Sequence, residues 1–133
     1  DVIVFGLRRF GGNIAWELHR RGLNVLGVDF DPDLLRFWHG EGMLTLYGDV
    51  EDPEFFHHLP LGNARWLVST IENRDKTLAL LHTARRHGFQ GRIAIAAHTI
   101  KEREFFIQSG VDLVLLPFRN AAMEAADILM AKD

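Results

Sequence analysis

Hydrophobic residues fall in short blocks, and glycine, proline and acidic residues separate them at regular distances. Val2-Ile3-Val4-Phe5 is a run of β-branched and aromatic residues, a predicted strand ended by Gly6. Ile14 to Arg21 carries Ile14 and Leu18 on one face and stops at Gly22, which predicts a helix. Val25 to Val28 is a second strand, ending in Asp29. Asp31-Pro32 opens the next helix, because Asp caps well and Pro suits the first helical position. Leu34, Leu35, Phe37 and Trp38 supply its apolar side. Leu44 to Tyr47 is a third strand, closed by Gly48-Asp49, and Asp52-Pro53 starts a short helix through Leu59. Arg65 to Val68 is a fourth strand. The polar stretch Ser69 to Lys76 then leads into a helix from Thr77 to His87, stopped by Gly88. Ile93 to Ala97, a helix from Lys101 to Gln108, a sixth strand from Val111 to Leu116 and a last helix from Ala121 to Ala131 complete the chain.

The predicted strands are nearly continuous apolar runs, as expected of a parallel sheet covered by helices on both faces. Strand and helix alternate six times, and right-handed crossovers then wind the sheet in both directions. The expected architecture is α/β: a Rossmann-like, doubly wound sheet of six parallel strands in a single domain, residues 1–133. The composition agrees, with 47% apolar and 25% charged residues, and excludes a chain disordered throughout. The absence of cysteine excludes disulfides and thiolate metal sites. A net charge of −3 argues against nucleic acid as a partner held by bulk electrostatics. No run of 18 apolar residues predicts a membrane span, and the N-terminus is not signal-like. The chain opens at Asp1 without an initiator Met, and reads as a domain cut from a longer protein.

Candidate chemistry gathers at the first strand-to-helix turn, Gly6-Leu7-Arg8-Arg9-Phe10-Gly11-Gly12. In the dinucleotide fingerprint G-x-G-x-x-G the first glycine makes the turn and the third packs helix on strand. Gly6 and Gly11 fit those roles. The middle glycine, which lets backbone approach a pyrophosphate, is Arg8 here; its side chain either obstructs a diphosphate or pairs with it. Amides at the start of the next helix still suit a phosphate, and Arg8 and Arg9 add two cations. Asp29 lies 18 residues past Gly11, where an acidic residue accepts the ribose hydroxyls and repels a 2′-phosphate. The local alternative is that Asp29 only shapes the turn; Asp31 reads as the cap before Pro32.

Phe30 either flanks an adenine ring or packs as an ordinary aromatic. Asp49, beside Val50, either accepts from the adenine amino group or caps towards Pro53. Ser69 and Thr70 end strand four and either reach a second ribose or phosphate or bond locally. The seven histidines have no metal-binding spacing, and His57-His58 reads as a solvated pair. Neither a G-x-S-x-G elbow nor G-K-[ST] occurs. The last helix is apolar on most sides, leaving Glu124 and Asp127 as a narrow polar stripe. Either a partner, such as a second copy, covers it, or its alanines tolerate exposure.

These residues carry a family resemblance. The run VIVFGLRRFGGNIAWELHRRGLNVLGVDFDPDLL, then LTLYGDVEDPEFF and VDLVLLPF, resembles a TrkA-N domain, also called the KTN or RCK N-terminal domain. The segment VSTIENRD with LALLHTARRHGFQGRIAIAAH is most similar to the form fused to cation:proton antiporters of the Kef type. The resemblance implies a regulatory, non-enzymatic domain that binds NAD(H), AMP or ADP. It implies attachment to a transmembrane antiporter domain of the same protein, at the cytoplasmic face of the bacterial inner membrane. Transport of potassium or another monovalent cation would be the controlled activity, and a homodimer, sometimes exchanging the last helix, the usual assembly. By the same resemblance Gly6, Arg9 and Gly11 form the phosphate turn, Asp29 holds ribose, and Asp49 with Val50 lies near adenine; Leu7, Arg8 and Phe10, within the same turn, are expected among the binding residues. Arg8 replaces the family's middle glycine, Thr77 stands where Asn is frequent, and His98 where Arg is frequent. These departures bear on the nicotinamide half more than on the adenosine half. The competing expectations are the cofactor domain of an NAD-dependent oxidoreductase and a fold that serves assembly without binding nucleotide.

Overall fold

The computed structural model describes residues 1–132. The apolar run at the start forms β1 (Val2–Phe5), and all four residues are buried because other strands and helices cover them on every side. The chain then alternates as its sequence predicts: α1 (Arg9–Arg20), β2 (Val25–Asp29), α2 (Pro32–Gly40), β3 (Leu44–Tyr47), a 3₁₀ turn over Pro53–His58, β4 (Trp66–Ser69), α3 (Arg74–Arg86), β5 (Arg92–Ala96), α4 (Ile100–Gln108), β6 (Leu113–Leu115) and α5 (Pro117–Ala131). The strands form one sheet in the order β3-β2-β1-β4-β5-β6, every pair parallel. That is the Rossmann-like doubly wound order, and its direction reverses between β1 and β4. Phe5 lies level with Val28 of β2 and Ser69 of β4, so three strands end together at the switch point.

Two apolar layers sandwich the sheet. Phe5, Phe56, Leu80, Phe89, Ile95 and Phe106 pack beneath the 3₁₀ turn, α3 and α4. Val4, Leu7, Ala15 and Met43, with Trp16 and Trp38 partly buried, pack beneath α1 and α2.

The helices begin earlier than periodicity alone predicts. The apolar repeat of α1 starts at Ile14, yet the helix starts at Arg9, because Gly11 and Gly12 belong to its first turns. Helix α3 starts at Arg74, not Thr77, because the Asn73 side chain accepts from the Lys76 amide at 2.9 Å. Pro117 opens α5 four residues before Ala121, in the first-turn position that tolerates proline. No residue of α5 is buried; Phe118, Leu129 and Met130 are each more than 70% exposed.

Candidate functional site

Gly6 carries the chain out of β1 with φ +90°, a backbone region that side chains disfavour. The turn then doubles back tightly. A Cβ on Gly11 would lie 1.7 Å from the Gly6 carbonyl oxygen and 2.5 Å from Thr70 Oγ1. One on Gly12 would lie 2.5 Å from the Trp38 ring. Gly6 is thus required by its backbone conformation and Gly11 by packing, the roles their spacing predicts; the tight fit of Gly12 was not expected.

Leu7 is the pivot. Its side chain is fully buried and presses on Gly27. Its N–H donates to Asp29 Oδ2 at 2.8 Å, and its carbonyl accepts from Trp38 Nε1 at 3.0 Å. Leu7 thus holds the turn: its N–H is spent on Asp29 and its side chain is buried, so it supports the site instead of donating to a ligand, against its expected place among the binding residues. The next four amides, of Arg8, Arg9, Phe10 and Gly11, have no acceptor among the described residues, and the first such bond comes from Gly12 to the Arg8 carbonyl. Asp31, Asn73 and Thr99 cap α2, α3 and α4 through side chains, whereas Arg8, at the cap position of α1, makes no such bond. Arg8 and Arg9 are exposed and make no ion pair among the described residues. Open amides, a helix dipole and two guanidinium groups make this rim electropositive.

The ends of β1, β2 and β3 border a cleft beside that rim, lined by Gly6, Asp29, Phe30, Gly48, Asp49, Val50, Ile71 and Lys76 among others. Asp29 spends one lone pair of each oxygen within the protein, Oδ2 on Leu7 and Oδ1 on the Asp31 amide at 3.0 Å. The second lone pair of each remains for a pair of hydroxyls. Asp49 makes its own turn through the Glu51 amide at 2.9 Å; the cap before Pro53 is Asp52. Phe30 is exposed and has the Lys76 ammonium 5.8 Å from its ring centre. With that pair across it the cleft holds only about 60 Å³, far below the 300–1,000 Å³ usual for a small-molecule site. A planar base can enter only if the exposed Phe30 and the part-buried Lys76 swing aside. Lys76 and Ile71 are site residues the sequence reading missed; a Lys in the first turn of a helix carries no signal that it faces the neighbouring crossover. A larger hollow of about 670 Å³ lies at the opposite, N-terminal ends of the strands, away from the glycine turn.

Ser69 and Thr70 do not line the cleft. Ser69 is fully buried, and its hydroxyl takes the Ile71 amide at 3.4 Å. Thr70 Oγ1 donates to the Gly6 carbonyl at 2.9 Å, so it braces the turn from β4. Their expected reach towards a second ribose gives way to local bonding at a strand end. Thr77 is buried too, and His98 instead has Glu72 at 3.4 Å and lies tilted against the Phe118 ring.

The TrkA-N domain family model matches residues 2–117, a span that holds the glycine turn, Asp29 and Asp49. The chain belongs to the TrkA-N family. Among relatives of this TrkA-N domain, the glutathione-regulated potassium-efflux system protein KefC of Cronobacter sakazakii is 27% identical over 83% of the chain and 18% of KefC. The Ktr system potassium uptake protein C of Bacillus subtilis is 24% identical over the whole chain and 60% of that protein. The domain thus spans less than two thirds of either relative. Two solved structures share its fold. The NAD(P)-binding domain of an exopolyphosphatase-related protein from Archaeoglobus fulgidus superposes with TM-score 0.83 at 24% identity, covering 99% of this chain and 98% of that one. The AMP-bound Kef C-terminal domain of Shewanella denitrificans gives 0.75 at 23%, covering 96% and 80%. A GsuK channel structure bound to NAD also matches, at 0.73 and 20%, over 86% of this chain and 21% of that one.

Proposed function

We propose that this TrkA-N domain senses an adenine nucleotide, AMP, ADP or NAD(H), and conveys its presence to a membrane domain that moves potassium or another monovalent cation. One observation carries the reading: four open amides, Arg8 to Gly11, follow directly on the Leu7 amide that Asp29 holds, and Asp29 lines the cleft together with Gly48 to Val50. Phosphate on the amides, ribose on Asp29 and the base between Phe30 and Val50 follow the order of groups in a nucleotide. The names of KefC and the Ktr protein support potassium transport as the regulated activity, and the AMP and NAD complexes of the structural relatives support the ligand class.

In this reading the domain belongs to a longer chain whose transmembrane part is a Kef-like cation:proton antiporter. It works on the cytoplasmic face of the membrane and catalyses no reaction of its own. A second copy covers the exposed apolar residues of α5. Ligand alters transport only if two states of the assembly bind it with different affinity. A nucleotide in the crevice would set the angle between paired domains.

Calorimetric titration of the purified domain with AMP, ADP, NAD and NADH tests the proposal. At least one should bind, and Asp29→Ala should abolish that binding. Because Asp29 also holds Leu7, 2′,3′-dideoxy-AMP on the wild-type domain isolates the ribose contact and should bind more weakly than AMP. No heat from any of the four ligands overturns the reading.

A further inference from the structure

We infer that Trp38 is a positioning residue for the phosphate turn: its indole fixes the Leu7–Arg8 peptide so that the Arg8 amide is presented to a ligand phosphate. The inference rests on the nucleotide-binding reading above and names what tunes its phosphate half. Trp38 comes from α2, and its Nε1–H reaches back 31 residues to the Leu7 carbonyl at 3.0 Å. A trans peptide is planar, with its C=O and N–H on opposite sides. Holding the Leu7 oxygen towards α2 therefore points the Arg8 N–H away from α2. That N–H has no acceptor among the described residues. The preceding peptide is fixed as well, because the Leu7 N–H is on Asp29 and the Leu7 side chain is locked under Gly27.

Arg8 makes this anchoring consequential. At the middle fingerprint position a glycine allows backbone and phosphate to meet from several directions. Arg8 has a Cβ and an extended backbone, φ −70° and ψ −163°. A Cβ narrows those directions, and the Arg8 side chain stands out in solvent, an orientation that leaves its N–H free to donate. The Trp38 bond selects that orientation. Packing alone does not require an indole: the ring lies against Gly12 and Trp16, and a phenyl ring would fill most of that space.

The test is Trp38→Phe, which removes the donor and keeps an aromatic ring. Wild-type and variant domains are titrated with AMP and with adenosine. The AMP-to-adenosine affinity ratio should fall about threefold to tenfold, the effect of one hydrogen bond, while adenosine affinity stays within about twofold. An equal loss for both ligands, or an unchanged ratio, overturns the inference. Should the variant fail to fold, the Trp38 indole N–H resonance of the ¹⁵N-labelled wild-type domain decides. It should shift on AMP and not on adenosine, and a resonance indifferent to AMP overturns the inference. A wild-type domain that binds AMP no more tightly than adenosine refutes the phosphate turn itself, and Trp38's role falls with it. Normal wild-type discrimination with an unaltered variant removes Trp38's role alone.

Discussion

Gly11→Ala sets two effects of opposite sign against each other. Gly11 lies in α1, where alanine is favoured over glycine by about 1 kcal/mol. Helix propensity alone therefore predicts a more stable protein. The packing predicts the reverse. The new Cβ would sit 1.7 Å from the Gly6 carbonyl oxygen, where ordinary contact begins at 3.4 Å. No rotamer relieves a Cβ clash with backbone, so the start of α1 must retreat by more than 1 Å. Forced overpacking costs up to about 3 kcal/mol. The net loss is then about 2 kcal/mol, lowering Tm by roughly 6–10 °C for a domain of this size. Gly40→Ala is the control. Gly40 ends α2 with nothing within 4 Å of its would-be Cβ, and this change should be neutral or stabilising by up to about 1 kcal/mol. Urea unfolding of both variants, with m unchanged, is the assay. Gly11→Ala equal to or more stable than wild type would refute the account of the turn.

Thr70→Val should cost about 1 kcal/mol in the same assay, because it strips the Gly6 carbonyl of its 2.9 Å partner while filling the same volume. The Glu17 carboxyl, hydrogen-bonded by Arg20 and Arg21, is held below its ordinary value. A group lowered in the folded state stabilises above its unfolded pKa and loses that contribution as pH falls through the folded one. Its NMR titration midpoint should therefore rise in Arg20→Ala; an unmoved midpoint would show the pair to be inert. Leu129→Glu together with Met130→Glu should shift the domain towards monomer in light scattering and leave each copy folded, since both side chains are exposed within one copy; any fall in melting temperature then reports the lost partner. A monomeric wild type at high concentration counts against pairing through α5.

The strands were legible because burial on both faces leaves a plain signature, an unbroken apolar run. All six appear within two residues of their expected starts. Helix starts were harder to read, and the errors share a cause. Apolar periodicity marks where a helix touches the core, whereas backbone begins to coil wherever a cap allows. At α3 the cap is Asn73, hidden in a polar stretch that reads as loop. At α5 no side chain caps the helix, and the start is Pro117, which serves equally well as a strand stop and a helix start.

The site was legible in its backbone and less so in its side chains. A fingerprint records positions where only certain residues are tolerated, without distinguishing contact with ligand from support of the turn. Leu7 and Thr70 belong to the support, and Trp38 joins them from a helix the fingerprint does not include. Asp29 belongs to both groups. Its carboxylate anchors the Leu7 amide and still presents a free lone pair on each oxygen towards the cleft. A ribose bound there would share its acceptor with the very bond that orients the phosphate turn. Removing Asp29 must therefore disturb phosphate and ribose recognition together, whereas removing the ribose hydroxyls from the ligand leaves the turn intact. A larger loss from Asp29→Ala than from the dideoxy ligand would measure that coupling, and equal losses would mean the turn stands without it.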